Sequence, residues 1–158
     1  MTESIVASRE LGGRCYQIDT DKDRLDFVLI HHFLADCSHW ARGISRDVLR
    51  RAIDHSLVFG LYRGDLQVGF ARVVTDAATF AYLADVFVVP EERNRGLGQW
   101  LVETVLGDRR VLHLRRWLLV TRDAENLYRR CGFAELSSGL SYLERFDADC
   151  CAKTVPVV

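Results

Sequence analysis

The sequence predicts an α/β protein in which helices flank a mixed, central β-sheet. Two strand-like segments, Leu57–Arg63 and Gln67–Thr75, flank the tight-turn pair Gly64-Asp65, which is typical of an antiparallel hairpin. The run Phe80–Val89 carries one charge, Asp85, as expected of a central strand buried on both faces. Helical stripes alternate with strands after this run, and such crossovers add parallel pairing to the sheet.

The first half of the chain contributes a strand and two helices before the hairpin. A short apolar run predicts an edge strand at Cys15–Ile18. Asp21 or Asp23 can cap a helix that ends near Asp36, with Leu25, Leu29, Phe33 and Leu34 on one face. Cys37–Ile44 reads as a loop, and Ser45 is a suitable N-cap for a second helix.

The second half is predicted to alternate helices and strands. Pro90 ends the central strand because proline cannot donate to a ladder, and a helix begins near Gly96. Further elements are a strand at Trp117–Val120, a helix at Ala124–Cys131 stopped by Gly132, and a last strand at Leu140–Phe146. The expected order is β-α-α-β-β-β-α-β-α-β.

Composition limits the classes of function. The 158 residues fit one domain, 1–158, with a core of about 15–146. A net charge of −1 excludes a generally basic nucleic-acid-binding chain. No apolar run reaches the ~18–20 residues of a membrane span, so we expect no membrane partner. Residues 1–13 lack a signal-peptide core, and a cytoplasmic location is expected.

Cysteine usage points to reduced thiols. The five cysteines are an odd number without zinc spacing, so no metal site is predicted, although Cys150 and Cys151 are adjacent and could oxidise. Arginine dominates the basic residues, since Lys22 and Lys153 are the only lysines among 21 positive side chains.

The segment from Val86 to Gly98 carries the chemistry. A buried strand enters a short loop and then a helix whose first turn contains Gly96 and Gly98. Free N–H groups at a helix start attract anions, and glycine lets an anion approach the backbone. Arg93 and Arg95 add positive charge, which predicts a pyrophosphate site; close helix packing is the structural alternative for the glycines.

Two motifs in order resemble the GNAT acetyltransferase superfamily. Arg93-x-x-Gly96-x-Gly98 is similar to its acyl-CoA-binding motif, and Leu127-Tyr128-x-x-x-Gly132-Phe133 is similar to its later motif. The resemblance covers about 57–146. It departs from many members at Thr121, where they carry asparagine.

The resemblance implies a splayed sheet and a donor, acetyl-CoA, held as coenzyme A beside the central strand. The strand backbone would pair with the pantetheine arm by β-augmentation. The implied cofactor-binding residues are Phe87, Val88, Val89, Arg93, Asn94, Arg95, Gly96, Leu97, Gly98 and Asn126. The acceptor would be a small-molecule primary amine that attacks the thioester directly in a ternary complex, with backbone N–H near Val88 as the oxyanion donor.

Tyr128 and Asp85 are the predicted catalytic residues. Tyr128 matches the family tyrosine that protonates the departing thiolate, and a tyrosine of pKa ~10 is close in acidity to a thiol of ~8.5. The alternative for Tyr128 is a core side chain. Asp85 is either the base for the amine or the structural partner of Arg72, which a four-residue turn at 76–79 would place diagonally beside it.

The acceptor wall is predicted from the loop between the first two helices. Trp40 in this loop, His31 on the first helix and Arg72 are the candidate substrate-binding residues. These residues do not identify the acceptor amine. The sequence is equally consistent with a monomer and with a homodimer. The rival function is a non-catalytic acyl-CoA-binding or sensing module, and a third is a nucleotide-binding protein.

Overall fold

The computed structural model of the protein describes residues 4–137 and 139–152. Their six strands form one sheet in the order β1 (Ile5–Leu11), β2 (Arg14–Asp19), β3 (Leu57–Arg63), β4 (Leu66–Thr75), β5 (Phe80–Val88) and β6 (Arg116–Leu118). Neighbours from β1 to β5 are antiparallel, whereas β6 runs parallel to β5. The predicted mixed sheet is therefore confirmed.

Four α-helices accompany the sheet in the described segments: α1 (Phe27–His32), α2 (Arg46–Asp54), α3 (Leu97–Leu106) and α4 (Glu125–Arg130). Ser45 caps α2 as predicted, because its side chain accepts from the Val48 amide. Asp21 instead caps a short 3-10 turn, and the cap of α1 is Asp26. A π-helical turn at Phe33–Cys37 continues α1.

Apolar side chains fill both faces of the sheet. On one face, Leu61 and Val73 belong to a buried cluster with Leu101 of α3. On the other face, Phe70 and Phe87 belong to a cluster with residues of α1 and α2. Because burial of apolar surface is the main force of folding, the helices are held against the sheet from both sides. None of the helices in the described segments is long and apolar enough to cross a membrane.

The N-terminal strand β1 was not predicted. Cys15–Ile18 was expected to form an edge strand, but β2, which contains it, lies between β1 and β3, so the edge assignment is wrong. Ile5–Leu11 is exposed at five of its seven positions and does not alternate apolar with polar residues, which hides its strand character. Gly12 and Gly13 both have positive φ, as a two-residue hairpin turn requires, and this pair was the available sequence signal.

The predicted strand at Leu140–Phe146 is wrong, since that segment is irregular in the structure. Strand β6 is shorter than the predicted Trp117–Val120 and offers only three residues for pairing. Leu143 and Phe146 are 89% and 78% exposed, so the apolar side chains of this segment bury little surface.

Substitution of Gly69 tests the close approach of β4 to β5. A Cβ at this position would lie 2.8 Å from the Phe87 carbonyl oxygen, a backbone atom that cannot rotate away. We expect Gly69→Ala to lower the free energy of unfolding by about 1–3 kcal/mol, as overpacking does. Gly107→Ala is the control, because its Cβ would meet ordinary contacts of 3.4 Å or more. Equal urea midpoints for the two variants would contradict the expectation.

Candidate active site

Strands β5 and β6 separate along the sheet. They pair only at Phe80–Arg116, Ala81–Trp117 and Tyr82–Leu118. Beyond Tyr82, β5 continues to Val88, while β6 ends at Leu118. The second half of β5 therefore has an open backbone edge, which an extended ligand could fill as an added strand.

A β-bulge at Asp85 lies in the part of β5 that extends beyond its pairing with β6. The β4–β5 register shifts between Phe70–Phe87 and Arg72–Ala84, so β5 holds one extra residue there. Asp85 adopts φ +54°, a left-handed conformation that is rare for a non-glycine residue in a strand. Bulges bend strands and increase their twist, and such strain often marks functional sites.

The Asp85 carboxylate is held by two side chains. Arg72 Nε donates to Oδ2 at 2.7 Å, and Trp40 Nε1 donates to Oδ1 at 3.1 Å. Arg72 also donates from Nη1 to Ser56 Oγ. The contact between Arg72 and Asp85 was predicted, but from the wrong register: Arg72 pairs with Ala84, and the bulge turns Asp85 toward it.

Trp40 comes from the loop between the first two helices, as expected. The π-helical turn before this loop places Phe33 against Phe87, with ring centroids 3.9 Å apart and planes 8° apart. Trp40 lies 6.5 Å from the Phe33 ring and remains 47% exposed. His31 is not hydrogen-bonded to this group, because its Nε2 contacts the Ile44 carbonyl oxygen at 3.0 Å.

The start of α3 forms an anion-accessible turn. Gly96 is the N-cap with φ +74°, and no atom lies within 4 Å of where its Cβ would be. The first helical hydrogen bond runs from the Trp100 amide to the Gly96 carbonyl oxygen. The amides of Leu97, Gly98 and Gln99 thus have no acceptor within the helix and are available to an anion.

Gly98 has a second reason to be glycine. A Cβ at Gly98 would lie 3.2 Å from Leu127 Cδ1, on the neighbouring helix α4. Close helix packing was the structural alternative for the two glycines, and it applies at Gly98 but not at Gly96. The same small residue brings α3 and α4 together.

The arginines of the α3 loop are partly engaged by the protein itself. Arg93 Nε donates to the Val88 carbonyl oxygen at 2.9 Å, so its side chain folds back onto the end of β5. Arg95 Nε lies 3.7 Å from Oε2 of the buried Glu92. Asn94, at φ +60°, forms the exposed turn between them.

Tyr128 lines a cavity of about 430 Å³ at the end of β6, together with Tyr82, Leu118 and Tyr142. Burial raises the pKa of Tyr128 to about 12, with smaller contributions from nearby groups that include Tyr82. Burial thus moves the acidity of Tyr128 away from that of a thiol, and Tyr128 keeps its proton across the neutral range. Asn126, on the same helix α4, is exposed.

Two residues of this region were missed by the sequence analysis. Tyr82 lines the same cavity as Tyr128. Burial raises the pKa of Tyr82, with smaller contributions from Tyr142 and from the charge of Asp85. Its position in β5, three residues before Asp85, was the available signal. Glu92 was missed because nothing in a charged loop sequence predicts that one glutamate is 2% exposed.

Comparisons with known proteins agree with this geometry. A sequence model described as an acetyltransferase (GNAT) domain matches residues 54–135. A curated Gibberella zeae protein that carries the name of an acetyltransferase is 33% identical over 134 residues, which cover 72% of this chain and 75% of the relative.

Solved structures share the fold. A GNAT-family protein from Xanthomonas campestris pv. campestris superposes with a TM-score of 0.82 at 43% identity, covering 87% of this chain and 97% of that one. A GNAT-family protein from Streptococcus pneumoniae has a TM-score of 0.63 at 23% identity and covers 83% and 99% of the two chains.

These findings define the class of the protein: it is an acyltransferase. The chain belongs to the GNAT acetyltransferase family, which generally uses acetyl-CoA.

Substitution of Arg72 tests whether its contact with Asp85 is a buried ion pair. The Asp85 and Arg72 side chains are 8% and 16% exposed. We expect Arg72→Met to lower the free energy of unfolding by about 3 kcal/mol, because it leaves a buried carboxylate without its cation. Adding Asp85→Asn should restore part of this loss.

The control for Arg72 is Arg129→Met, which removes a bridge between the exposed Glu125 and Glu135. Such surface pairs contribute about 0–1 kcal/mol, so the control should change stability little. Chemical denaturation measures all three variants, and equal losses for Arg72→Met and Arg129→Met would exclude a buried pair.

Proposed function

We propose that this protein is an N-acetyltransferase that moves an acetyl group from acetyl-CoA to the primary amine of a small acceptor by direct attack. One observation carries the proposal: the open edge of β5 is followed, after one short loop, by the amides at the start of α3 that have no acceptor within the helix. An extended arm and a pyrophosphate, joined in one molecule, match these two adjacent features.

The donor would lie along β5 with its phosphates at α3. Successive N–H groups of a strand point to opposite edges, and the Val89 amide donates to the Val68 carbonyl oxygen on the β4 side. The Val88 amide therefore points to the open edge. The backbone contact would come from Val88, flanked by Phe87 and Val89, whose amides face β4. Further contacts would come from the loop residues Arg93, Asn94 and Arg95, from Gly96, Leu97 and Gly98, and from Asn126 of α4.

Acetyl-CoA supplies the acetyl group as a thioester, and the residues of the chain assist its transfer. The Val88 N–H would donate to the thioester carbonyl oxygen as negative charge develops there. Trp40 and Arg72 each use one oxygen of Asp85, but a carboxylate has about four lone-pair positions, so Asp85 can still accept from an amine. Asp85 would take the proton, directly or through water, once the nitrogen has bonded to carbon and become acidic.

Tyr128 would stabilise the departing thiolate by hydrogen bonding. Burial raises the pKa of Tyr128 to about 12, against ~8.5 for a thiol, so its neutral phenol is favoured over complete transfer of the proton. A hydrogen bond from a neutral phenol to a developing anion needs no such transfer. Trp40 would form the acceptor wall, while His31 would support it by holding the Ile44 carbonyl.

Cofactor binding is tested by Gly96→Glu. Acetyl-CoA at 100 times its Kd should raise the free energy of unfolding of the wild type by about 2.7 kcal/mol. Gly96→Glu places bulk and negative charge in the open space at the helix start, so it should abolish this stabilisation.

Gly43→Glu is the matched control, because Gly43 has the same φ of +74° and equally open surroundings. Gly43→Glu introduces the same backbone strain and the same negative charge, but at a position outside α3. Stabilisation retained in Gly96→Glu would exclude this binding site, and stabilisation of the wild type by ATP but not acetyl-CoA would favour a nucleotide-binding protein.

Turnover is tested with a panel of primary amines and a free-thiol readout. Tyr128→Phe should lower kcat by about 10²-fold with little change in acetyl-CoA affinity, since the lost hydrogen bond forms in the transition state. Tyr142→Phe is the control, because Tyr142 lines the same cavity from the irregular C-terminal segment. Unchanged kcat would remove Tyr128 from the mechanism, and binding without thiol release would favour the sensing module.

A further inference from the structure

Glu92 is a buried carboxylate that the proposed chemistry does not use. It is the last residue of a 3-10 turn, Pro90–Glu92, that lies between β5 and α3. Tyr16 Oη donates to its Oε2 at 2.6 Å, and Arg63 Nη1 donates to its Oε1 at 2.6 Å. The carboxylate is 2% exposed, so its loss of hydration must be offset by these partners.

Two further guanidinium groups lie near the same carboxylate. Arg14 Nη1 is 3.7 Å from Oε1, and Arg95 Nε is 3.7 Å from Oε2. Three arginines from two strands and one loop thus surround one glutamate, and the cluster keeps an excess of positive charge. Arg14 and Arg95 are 45% and 42% exposed, so both are accessible from solvent.

The sheet topology places this cluster beside the start of α3. Strands β3 and β5 are both antiparallel to β4, so they run in the same direction and end at the same end of the sheet. Arg63 is the last residue of β3, and Glu92 follows the last residue of β5 by four positions. Glu92 therefore ties the loop that enters α3 to the neighbouring strands β2 and β3.

We propose that Glu92 is a positioning residue for the pyrophosphate of the donor, an inference that rests on the proposed function. Its bonds to Tyr16 and Arg63 would fix the loop before the donor arrives. Its longer contact to Arg95, at 3.7 Å, would keep that guanidinium near the helix start and free to bind phosphate. Ordering the loop in advance reduces the entropy lost on binding.

A purely electrostatic effect and a positioning role predict opposite changes in the coenzyme A affinity of Glu92→Gln. Removing a negative charge near a pyrophosphate should tighten binding if charge alone matters. If Glu92 positions the loop, the variant should bind coenzyme A about tenfold more weakly, the scale of one lost hydrogen bond to a charged group. Tyr16→Phe leaves the charge unchanged and removes one bond to Glu92, so it should weaken coenzyme A binding in the same direction.

The experiment is calorimetric titration of the full chain with coenzyme A, beside an NMR titration with pantetheine, which lacks the pyrophosphate. The affinity for pantetheine should not change in either variant, whereas general damage to the fold would weaken the binding of both ligands. Asp108→Asn is the matched control, because Asp108 is a buried carboxylate bonded to Arg110 beyond the far end of α3.

The outcomes separate this inference from the proposed function. Weaker coenzyme A binding with unchanged pantetheine binding, in Tyr16→Phe and in Glu92→Gln if it folds, supports the positioning role. Unchanged or tighter coenzyme A binding in Tyr16→Phe, or a loss shared by Asp108→Asn, overturns it while the proposed function stands. A wild type that binds coenzyme A no better than pantetheine overturns both.

Discussion

The left-handed backbone at Asp85 is held in place by the Arg72 guanidinium and the Trp40 indole. This conformation costs of order 1 kcal/mol or more in a non-glycine residue, so the bulge persists because its surroundings impose it. The bulge lies in the part of β5 that no longer pairs with β6, and bulges increase the local twist of a strand. The open strand edge, the outward Val88 amide and the turn into α3 all lie beyond this point.

Most of the fold was predictable because its signals are local. The β3–β4 hairpin, the buried run of β5, the Ser45 cap and the glycines at α3 each depend on a few neighbouring residues. The two segments that failed depend on their partners. β1 is a largely exposed edge strand that forms against β2, whereas residues 140–146 are irregular and β6 offers only three residues for pairing.

The site was predictable as a set of residues and less so as a set of contacts. The contact between Asp85 and Arg72 was predicted from a regular hairpin register. In the structure it depends on a β-bulge, which no pattern in the sequence predicts. The acidity of Tyr128 depends on its burial, which is a property of the tertiary structure. Glu92 looked like one more surface charge, because the strands that enclose it lie far from it in the sequence.

The contact between Gly98 and Leu127 has a consequence for the donors that this protein can use. Helix α3 begins at the anion-accessible turn, and α4 carries Tyr128, so their close packing sets the span from that turn to the tyrosine hydroxyl. At the proposed donor site, a thioester with a shorter arm would occupy one end of this span without reaching the other. The protein would therefore select donors by their length as well as by their charge.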